Sequence, residues 1–174
     1  MRAFLTWGTA LALVLFCCDA WASELRVAID GVASSSGTLM VGLYDSEEHF
    51  RSAIANASNL GSLNDRSRLV GIAMKAVAGT QSVVFTNLKP GTYGVIVFHD
   101  ENDNGRLDEN AWGVPTEGYG FSNNAQGFLG APSFAAAEVT INEENQSITI
   151  TLNYPKVLAR FDSSDRPDDS AYDK

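Results

Sequence analysis

The chain has 174 residues, with 12 Lys and Arg against 21 Asp and Glu, and its formal net charge is −9. This acidity argues against binding to nucleic acid or to an anionic membrane surface, because both require a basic face, and it is compatible with divalent cations. The length suffices for one domain with its own hydrophobic core.

The N-terminus has the pattern of an export signal. Arg2 precedes an uncharged, mostly apolar run over residues 3–18, and an A-x-A cleavage signature follows at residues 20–22. The apolar run is too short and wrongly flanked for a membrane span, so none is predicted. Cleavage after Ala22 is favoured over a lipid anchor at Cys17 or Cys18, because bulky residues precede both cysteines where a lipid-attachment box usually has small ones.

Cleavage at this point removes both cysteines of the chain. The exported protein then has no disulfide and must be held by its own core, by a partner or by a metal. We expect a periplasmic or secreted protein with a signal peptide over residues 1–22 and one domain over 23–154. Residues 155–174 are rich in Asp, Ser, Lys and Arg and are predicted to form a disordered tail.

Period-two alternation of apolar residues dominates the domain and predicts an all-β fold. Seven short strands separated by turns favour an antiparallel β-sandwich of the prealbumin or immunoglobulin type. The fifth strand has apolar residues on both faces. The predicted strands cover residues 25–29, 39–43, 69–77, 83–85, 93–98, 139–141 and 148–152.

One short helix is predicted between the second and third strands, in the sequence DSEEHF. Asp45 or Ser46 can cap its first turn, and Glu47 and Glu48 lie where the helix dipole favours anions. Residues 53–66 are rich in Asn and Ser and are predicted to form a loop.

Residues 99–134 form the least regular part of the domain. They contain six glycines, two prolines and no periodic apolar pattern, which predicts a long loop. Such a loop in a compact domain is usually functional or disordered, and this one has too many apolar side chains for a solvated linker. Something must therefore organise it.

The start of this loop, D-E-N-D-N-G-R-L-D, matches part of a calcium-loop pattern. Alternate side chains would point inward and supply the hard oxygen ligands that Ca²⁺ prefers, and Gly105 would permit the tight turn at position 6. The predicted ligands at positions 1, 3, 5, 7 and 9 are Asp100, Asn102, Asn104, the carbonyl of Arg106, and Asp108.

The match to the calcium pattern is incomplete. Position 12 is Ala111 instead of glutamate, and Asp108, Glu109 or Glu117 would have to supply the missing carboxylate. A strand enters the loop where an EF-hand has a helix, so the pattern looks more like the strand-borne calcium loops of bacterial surface sandwich domains. The expected dissociation constant is roughly 10⁻⁴ to 10⁻³ M. Asp, Asn and Gly are also standard turn residues, so a turn without metal is the alternative.

The second half of the loop mixes aromatic and amide side chains. Trp112, Tyr119 and Phe121 are candidates for a sugar-stacking platform. The alternative is that these aromatic rings form a satellite core that pins the loop to the sandwich. The remaining candidate ligand-binding residues are Glu117, Asn123 and Asn124.

The carboxylates between His99 and Glu117 also permit an enzymatic interpretation. Two of them could act as the general acid and base of a carbohydrate-active or other hydrolytic enzyme. Nothing in the spacing fixes their separation, and His99 continues one face of the fifth strand, which favours a structural role. We therefore predict a non-enzymatic protein and keep the hydrolase as the alternative.

The segment NLKPGTYGVIVFHDENDNGRLDENAWGVPTEGYGFSNNA, followed by GAPSF at residues 130–134, resembles the bacterial family called domain of unknown function 2141. The segment YDSEEHF is similar to the early helix of that family. NLKPGTY is also similar to the turn that enters a strand in transthyretin-like and carboxypeptidase-regulatory-like sandwiches. The resemblance implies an exported single-domain sandwich with no established activity. The expected role is a calcium-stabilised module that binds an envelope or extracellular component.

Overall fold

The computed structural model describes residues 23–59, 68–128, 130–142 and 144–155. The predicted signal peptide, residues 60–66 of the predicted Asn- and Ser-rich loop, and residues 156–174 of the predicted tail lie outside the described residues. No helix within the described part of the chain is long and apolar enough to cross a membrane.

The described residues form two β-sheets, which confirms the predicted all-β sandwich class. One sheet has three strands in the order β4-β1-β8, and the other has five, in the order β3-β2-β5-β6 with β7 also paired to β5. The strands are β1 (Ser23–Val32), β2 (Thr38–Tyr44), β3 (Val70–Lys75), β4 (Gly79–Leu88), β5 (Gly91–Asp100), β6 (Gly118–Phe121), β7 (Val139–Ile141) and β8 (Gln146–Thr151). The helices are α1 (Glu47–Asn56), a 3₁₀ turn (Ser122–Asn124) and α2 (Phe134–Ala137).

The strand pairs are antiparallel except for β1 and β8, which run parallel, with Leu25 opposite Gln146 and Asp30 opposite Thr151. The strand before β8 is β7, which belongs to the other sheet. β8 therefore does not enter its sheet through a hairpin, and its connection allows it to run parallel to β1.

The main core lies between the two sheets and is built from alternate residues of nearly every strand. Fully buried members include Val27 of β1, Leu39 of β2, Val97 of β5 and Ile150 of β8. Burying such side chains contributes roughly 1.5–3 kcal/mol each before conformational entropy is counted. This core layer accounts for the alternation of apolar residues in the sequence.

A second, smaller core lies on the outer face of the five-stranded sheet, where α1 covers β5. Its centre is Phe50, which is fully buried and packs edge-on against Tyr44 and Phe134. A Cβ atom on Gly94 would lie 2.9 Å from the Phe50 ring, so only glycine allows this helix to sit so close to the sheet. This second core explains why β5 is apolar on both faces.

Two sequence predictions are wrong in detail. Residues 53–56 were predicted as loop but extend α1 by a turn, because Ala53 and Ile54 pack against the second core. Ser46 caps this helix, as one of the two predicted alternatives, and its Oγ accepts the His49 N–H at 3.3 Å. Four residues of the predicted long loop form β6, which brings the described strands to eight.

The strand β6 escaped prediction because it has the sequence Gly-Tyr-Gly-Phe, and glycine is unfavourable in strands. Packing requires the glycines here. A Cβ on Gly120 would lie 2.7 Å from Ile150 Cγ2, and a Cβ on Gly118 would lie 2.8 Å from the Tyr154 hydroxyl. β8 and the segment after it therefore lie so close to β6 that two of its four positions require glycine.

Candidate functional site

The predicted calcium loop joins two strands that are paired with each other. β5 ends at Asp100, and β6 begins at Gly118 and returns along β5 with Gly118 opposite His99. The residues between them, 101–117, make a closed excursion from the sheet, and its two ends lie side by side. Leu107 is buried, and its N–H donates to the Ala57 carbonyl at 2.8 Å, which ties the excursion to the end of α1.

Asp100 anchors the first turn of the excursion. Its carboxylate is 2% exposed and accepts the N–H groups of Asn104 at 3.0 Å and Gly105 at 2.7 Å. Asp103 and Gly105 have positive φ angles of 56° and 81°, so the chain curls tightly around this carboxylate. Asp and Gly at these positions thus form a compact acidic turn, as the sequence pattern predicts.

The side chains at positions 3, 5 and 9 of the pattern converge. The amide nitrogens of Asn102 and Asn104 donate to the Asp108 carboxylate at 2.7 to 3.0 Å, and Arg106 Nε donates to the same group at 2.9 Å. The hydrogen bond from Asn104 is the main cause that lowers the pKa of Asp108 below its usual value. The side chain of Asp108 therefore forms the centre of this cluster.

Glu117 closes the excursion at its base. The side chain is 4% exposed, and its two carboxylate oxygens accept the N–H of Glu101 at 2.8 Å and the N–H of Asp108 at 2.9 Å. Burial raises the pKa of Glu117, and the two backbone hydrogen bonds oppose that shift. One carboxylate thus holds together the start, the middle and the end of the loop, a role that the sequence did not reveal.

Among the described residues, no group of three or more His, Cys, Asp and Glu side chains is arranged to hold a metal ion. A cation at residues 100–108 would depend on amide and carbonyl oxygens in addition to Asp100 and Asp108, which is the donor set that the sequence pattern predicts.

His99 is fully buried and has structural partners. Its Nε2 donates to the Ser36 carbonyl at 2.7 Å, because a carbonyl can only accept, and its Nδ1 lies 2.7 Å from the Tyr154 hydroxyl. That hydroxyl also accepts the Ala33 N–H at 3.1 Å. Both ring nitrogens of His99 are therefore engaged in joining β5 to the segments on either side of it.

The candidate ligand-binding residues are placed in different surroundings. Phe121 belongs to the second core and Tyr119 packs against it, as the satellite-core alternative predicts, whereas Trp112 is 87% exposed. Asn123 donates to the Glu138 carbonyl at 2.7 Å, and Asn124 accepts the Thr151 N–H at 2.8 Å, so both amides fasten neighbouring segments. The structure brings the three aromatic residues to one cavity and leaves Glu117 and both asparagines outside it.

This cavity has a volume of about 720 Å³ and lies on the outer face of the five-stranded sheet, beside the second core. Outward-facing residues of β2, β3, β5 and β6 form its floor, α1 forms one wall, and the excursion from Leu107 to Pro115 forms another. This cavity was not predicted from the sequence. The available signal was the pair Gly42 and Gly71, which lie opposite each other in β2 and β3 and make room for the Tyr44 ring and the Arg68 side chain above them.

Comparisons with known proteins place the chain within a family. No curated protein is significantly similar to it. A crystal structure of a fimbrial assembly protein from Parabacteroides distasonis aligns with a TM-score of 0.35 and 9% sequence identity. That alignment covers 75% of this chain and 52% of the other, so the chain spans about half the length of that protein. The family of uncharacterized proteins conserved in bacteria matches residues 27–149, and the chain therefore belongs to that family, domain of unknown function 2141.

Proposed function

We propose that this protein is an exported, non-enzymatic β-sandwich module whose 100–108 segment binds Ca²⁺ and whose adjoining loop binds an envelope or extracellular component. The observation that supports the calcium site is the convergence of Asn102 and Asn104 on Asp108, at positions 3, 5 and 9 of the pattern, beside the turn that Asp100 anchors. The exposed side chains of Trp112 and Val114 support the binding role, because both line one cavity and so belong to a contiguous apolar surface.

Calcium binding requires several side chains of this turn to change partners. The Asn102 and Asn104 side chains direct their NH₂ groups at Asp108, and a cation beside Asp108 would instead need their Oδ1 atoms. Rotating an amide by half a turn exchanges O and N in nearly the same volume. The rotation gives up the bonds that the two Oδ1 atoms accept from the N–H groups of Asn104 and Arg106 at 3.1 Å, and Arg106 Nε must release Asp108, so the ion must compensate for these contacts.

The ion would compensate negative charge and stabilise the excursion. Asp100 and Asp108 repel Glu117, and their charges contribute to its raised pKa. A divalent cation between the two aspartates would cancel this repulsion. It would also hold the excursion that carries Trp112 in one conformation.

The experiment is a calcium titration of residues 23–174 after removal of metal with a chelator. The melting temperature should rise with millimolar CaCl₂, and the fluorescence of Trp112, the single tryptophan outside the predicted signal, should change with it. At 20 times the dissociation constant the stabilisation is about 1.8 kcal/mol. MgCl₂ at the same concentrations controls for ionic strength and for weak charge screening.

Variants with the same change in charge separate a ligand from its neighbour. Asp108→Asn should abolish the response, whereas Asp103→Asn removes the same charge from the same turn and should preserve it. Asp103 keeps an oxygen for its 2.7 Å bond from the Thr38 hydroxyl after that substitution. An absent calcium response in the wild type, or an equal response in both variants, would refute the calcium site.

A further inference from the structure

We propose that the cavity on the outer face of the five-stranded sheet binds a single-chain amphiphile, with its apolar body on the cavity floor and its anionic head group on Arg68. This inference rests on the proposed binding function and names its ligand class. The cavity's volume of about 720 Å³ lies within the range of roughly 300–1,000 Å³ that is usual for small-molecule sites.

The floor of the cavity is apolar over its whole width. The strand register sets Gly71, Gly42, Ile96 and Phe121 in one row across four strands, and Ala73, Met40, Phe98 and Tyr119 in the next row. All eight line the cavity. Their side chains offer no charge and one hydroxyl, which suits an aliphatic or aryl body.

Small residues on two adjacent strands shape one side of the cavity floor. Gly42 and Gly71 are direct partners across β2 and β3, and Ala73 follows on the same face. The Tyr44 ring lies over Gly42 and the Arg68 side chain lies over Gly71, so the glycine pair brings one further hydroxyl and one guanidinium to the floor. The walls are formed by α1 and by the excursion.

Arg68 supplies the positive charge of this depression. A Cβ atom on Gly71 would lie 2.7 Å from Arg68 Cζ, so the end of the Arg68 side chain lies over the glycine. Within the described part of the chain Arg68 is half-buried and takes part in no ion pair. A guanidinium presents a planar fork of donors that matches a carboxylate, sulfonate or phosphate.

The other charged residue of the lining, Glu109, determines the orientation of the ligand. Glu109 is exposed and belongs to the excursion, where it pairs with Pro115. It disfavours an anion on that side, so the head group belongs with Arg68. The apolar tail then runs towards Trp112 and Val114, which line the cavity although they are 87% and 45% exposed.

The primary probe is 1-anilinonaphthalene-8-sulfonate, which combines an aryl body with a sulfonate. Its fluorescence should rise on binding, with energy transfer from Trp112. Dodecanoate below its critical micelle concentration should displace the probe at a concentration at least ten times lower than dodecyltrimethylammonium does. Equal displacement by the two amphiphiles would contradict a cationic head-group site.

Three variants locate the site. Arg68→Met should reduce the preference for dodecanoate over dodecyltrimethylammonium at least tenfold. Lys75→Met is the matched control, because Lys75 follows Gly71 and Ala73 on the outer face of β3 but lies outside the cavity lining. Ala73→Phe should fill the floor and abolish probe binding while circular dichroism shows an unchanged fold. An Arg68→Met protein with wild-type selectivity, or an Ala73→Phe protein with wild-type affinity, would overturn the proposal.

Failure of this inference and failure of the calcium site give different results. The probe titrations are run with 5 mM CaCl₂ and with chelator, and melting is recorded without amphiphile. The displacement by dodecanoate is run in chelator alone, because Ca²⁺ precipitates dodecanoate. A calcium-dependent rise in melting temperature with no probe or dodecanoate binding would sink the amphiphile site alone. Binding to vesicles of phosphatidylglycerol and phosphatidylethanolamine without binding to dodecanoate would also overturn it, in favour of a membrane surface.

Discussion

Replacing Glu117 by Gln tests whether this carboxylate holds the excursion closed. Glutamine keeps one oxygen acceptor but directs its NH₂ group at the second backbone N–H, so one of the bonds from Glu101 and Asp108 is lost. A hydrogen bond to a charged group contributes about 1.5–3 kcal/mol, and an unsatisfied buried N–H costs a similar amount. Part of this loss is offset, because the substitution also removes a buried negative charge near Asp100 and Asp108.

We therefore expect Glu117→Gln to lower the free energy of unfolding by about 2 kcal/mol at pH 7. For a domain of this size the melting temperature should fall by roughly 6 °C. Urea denaturation followed by Trp112 fluorescence and by circular dichroism, both in chelator, measures the change. Glu109→Gln is the control, because Glu109 is an exposed carboxylate of the same excursion and should change stability by less than about 0.5 kcal/mol.

The same variant separates the structural role from the hydrolytic alternative. A catalytic carboxyl at position 117 would be replaceable without loss of stability, and only turnover would suffer. If Glu117 instead holds the excursion closed through two backbone hydrogen bonds, its replacement should lower stability. Equal stability of Glu117→Gln and Glu109→Gln would refute the reasoning from these two hydrogen bonds.

Three further outcomes follow from individual contacts. Burial raises the folded-state pKa of Glu117 above its usual 4.5, so its contribution to stability is full below about pH 4.5 and is lost as the pH rises through the folded pKa. The protonated carboxyl still accepts both backbone N–H groups, because its hydroxyl proton can turn away from them, whereas glutamine accepts only one. In chelator, wild type and Glu117→Gln should therefore differ less in unfolding free energy at pH 7 than at pH 4, and a constant difference would contradict the shift. Gly37→Ala should lower the free energy of unfolding by more than about 3 kcal/mol in urea titrations, because Gly37 has a φ of +71° and a Cβ there would lie 2.7 Å from Glu101 Cα. Gly79 also has a positive φ but has open space around it, so Gly79→Ala measures the backbone strain without the clash. Tyr154→Phe should cost about 1–3 kcal/mol because the buried His99 Nδ1 loses its partner, whereas Tyr119→Phe removes only a 3.5 Å bond from Asn153 and should cost less.

The strands were predictable because each one buries one face in a single layer. Val27, Val41 and Val97 alternate with polar or outward residues, and the sandwich reproduces that alternation directly. β6 was not predictable in this way, because its two glycines are required by contacts with Ile150 and Tyr154, which lie at least 30 positions later in the chain. The residue type at such a position is determined by a neighbour that is distant in the sequence and not by local strand propensity.

The acidic turn was predictable for a related reason. Its side-chain contacts, such as those from Asp100 to Gly105 and from Asn102 to Asp108, span six residues or fewer, so spacing alone constrains them. The role of Glu117 depends on amides 9 and 16 positions away, which meet its carboxylate only after β6 has paired with β5. The cavity depends on register across four strands, and no local pattern contains that information.

The excursion links the two proposed sites physically. Its first part contains the side chains of the proposed calcium site, and its continuation from Leu107 to Pro115 forms a wall of the cavity. Leu107 is also the residue that ties this wall to Ala57 at the end of α1. A cation that holds the first part in one conformation therefore also reduces the freedom of the wall, and a ligand in the cavity does the same from the other side. Linkage then requires that calcium tighten amphiphile binding by the same factor by which the amphiphile tightens calcium binding. Calorimetric titrations of each ligand in the presence and absence of the other measure both factors, and a calcium effect on amphiphile affinity that is absent in Asp108→Asn would locate the coupling in this excursion.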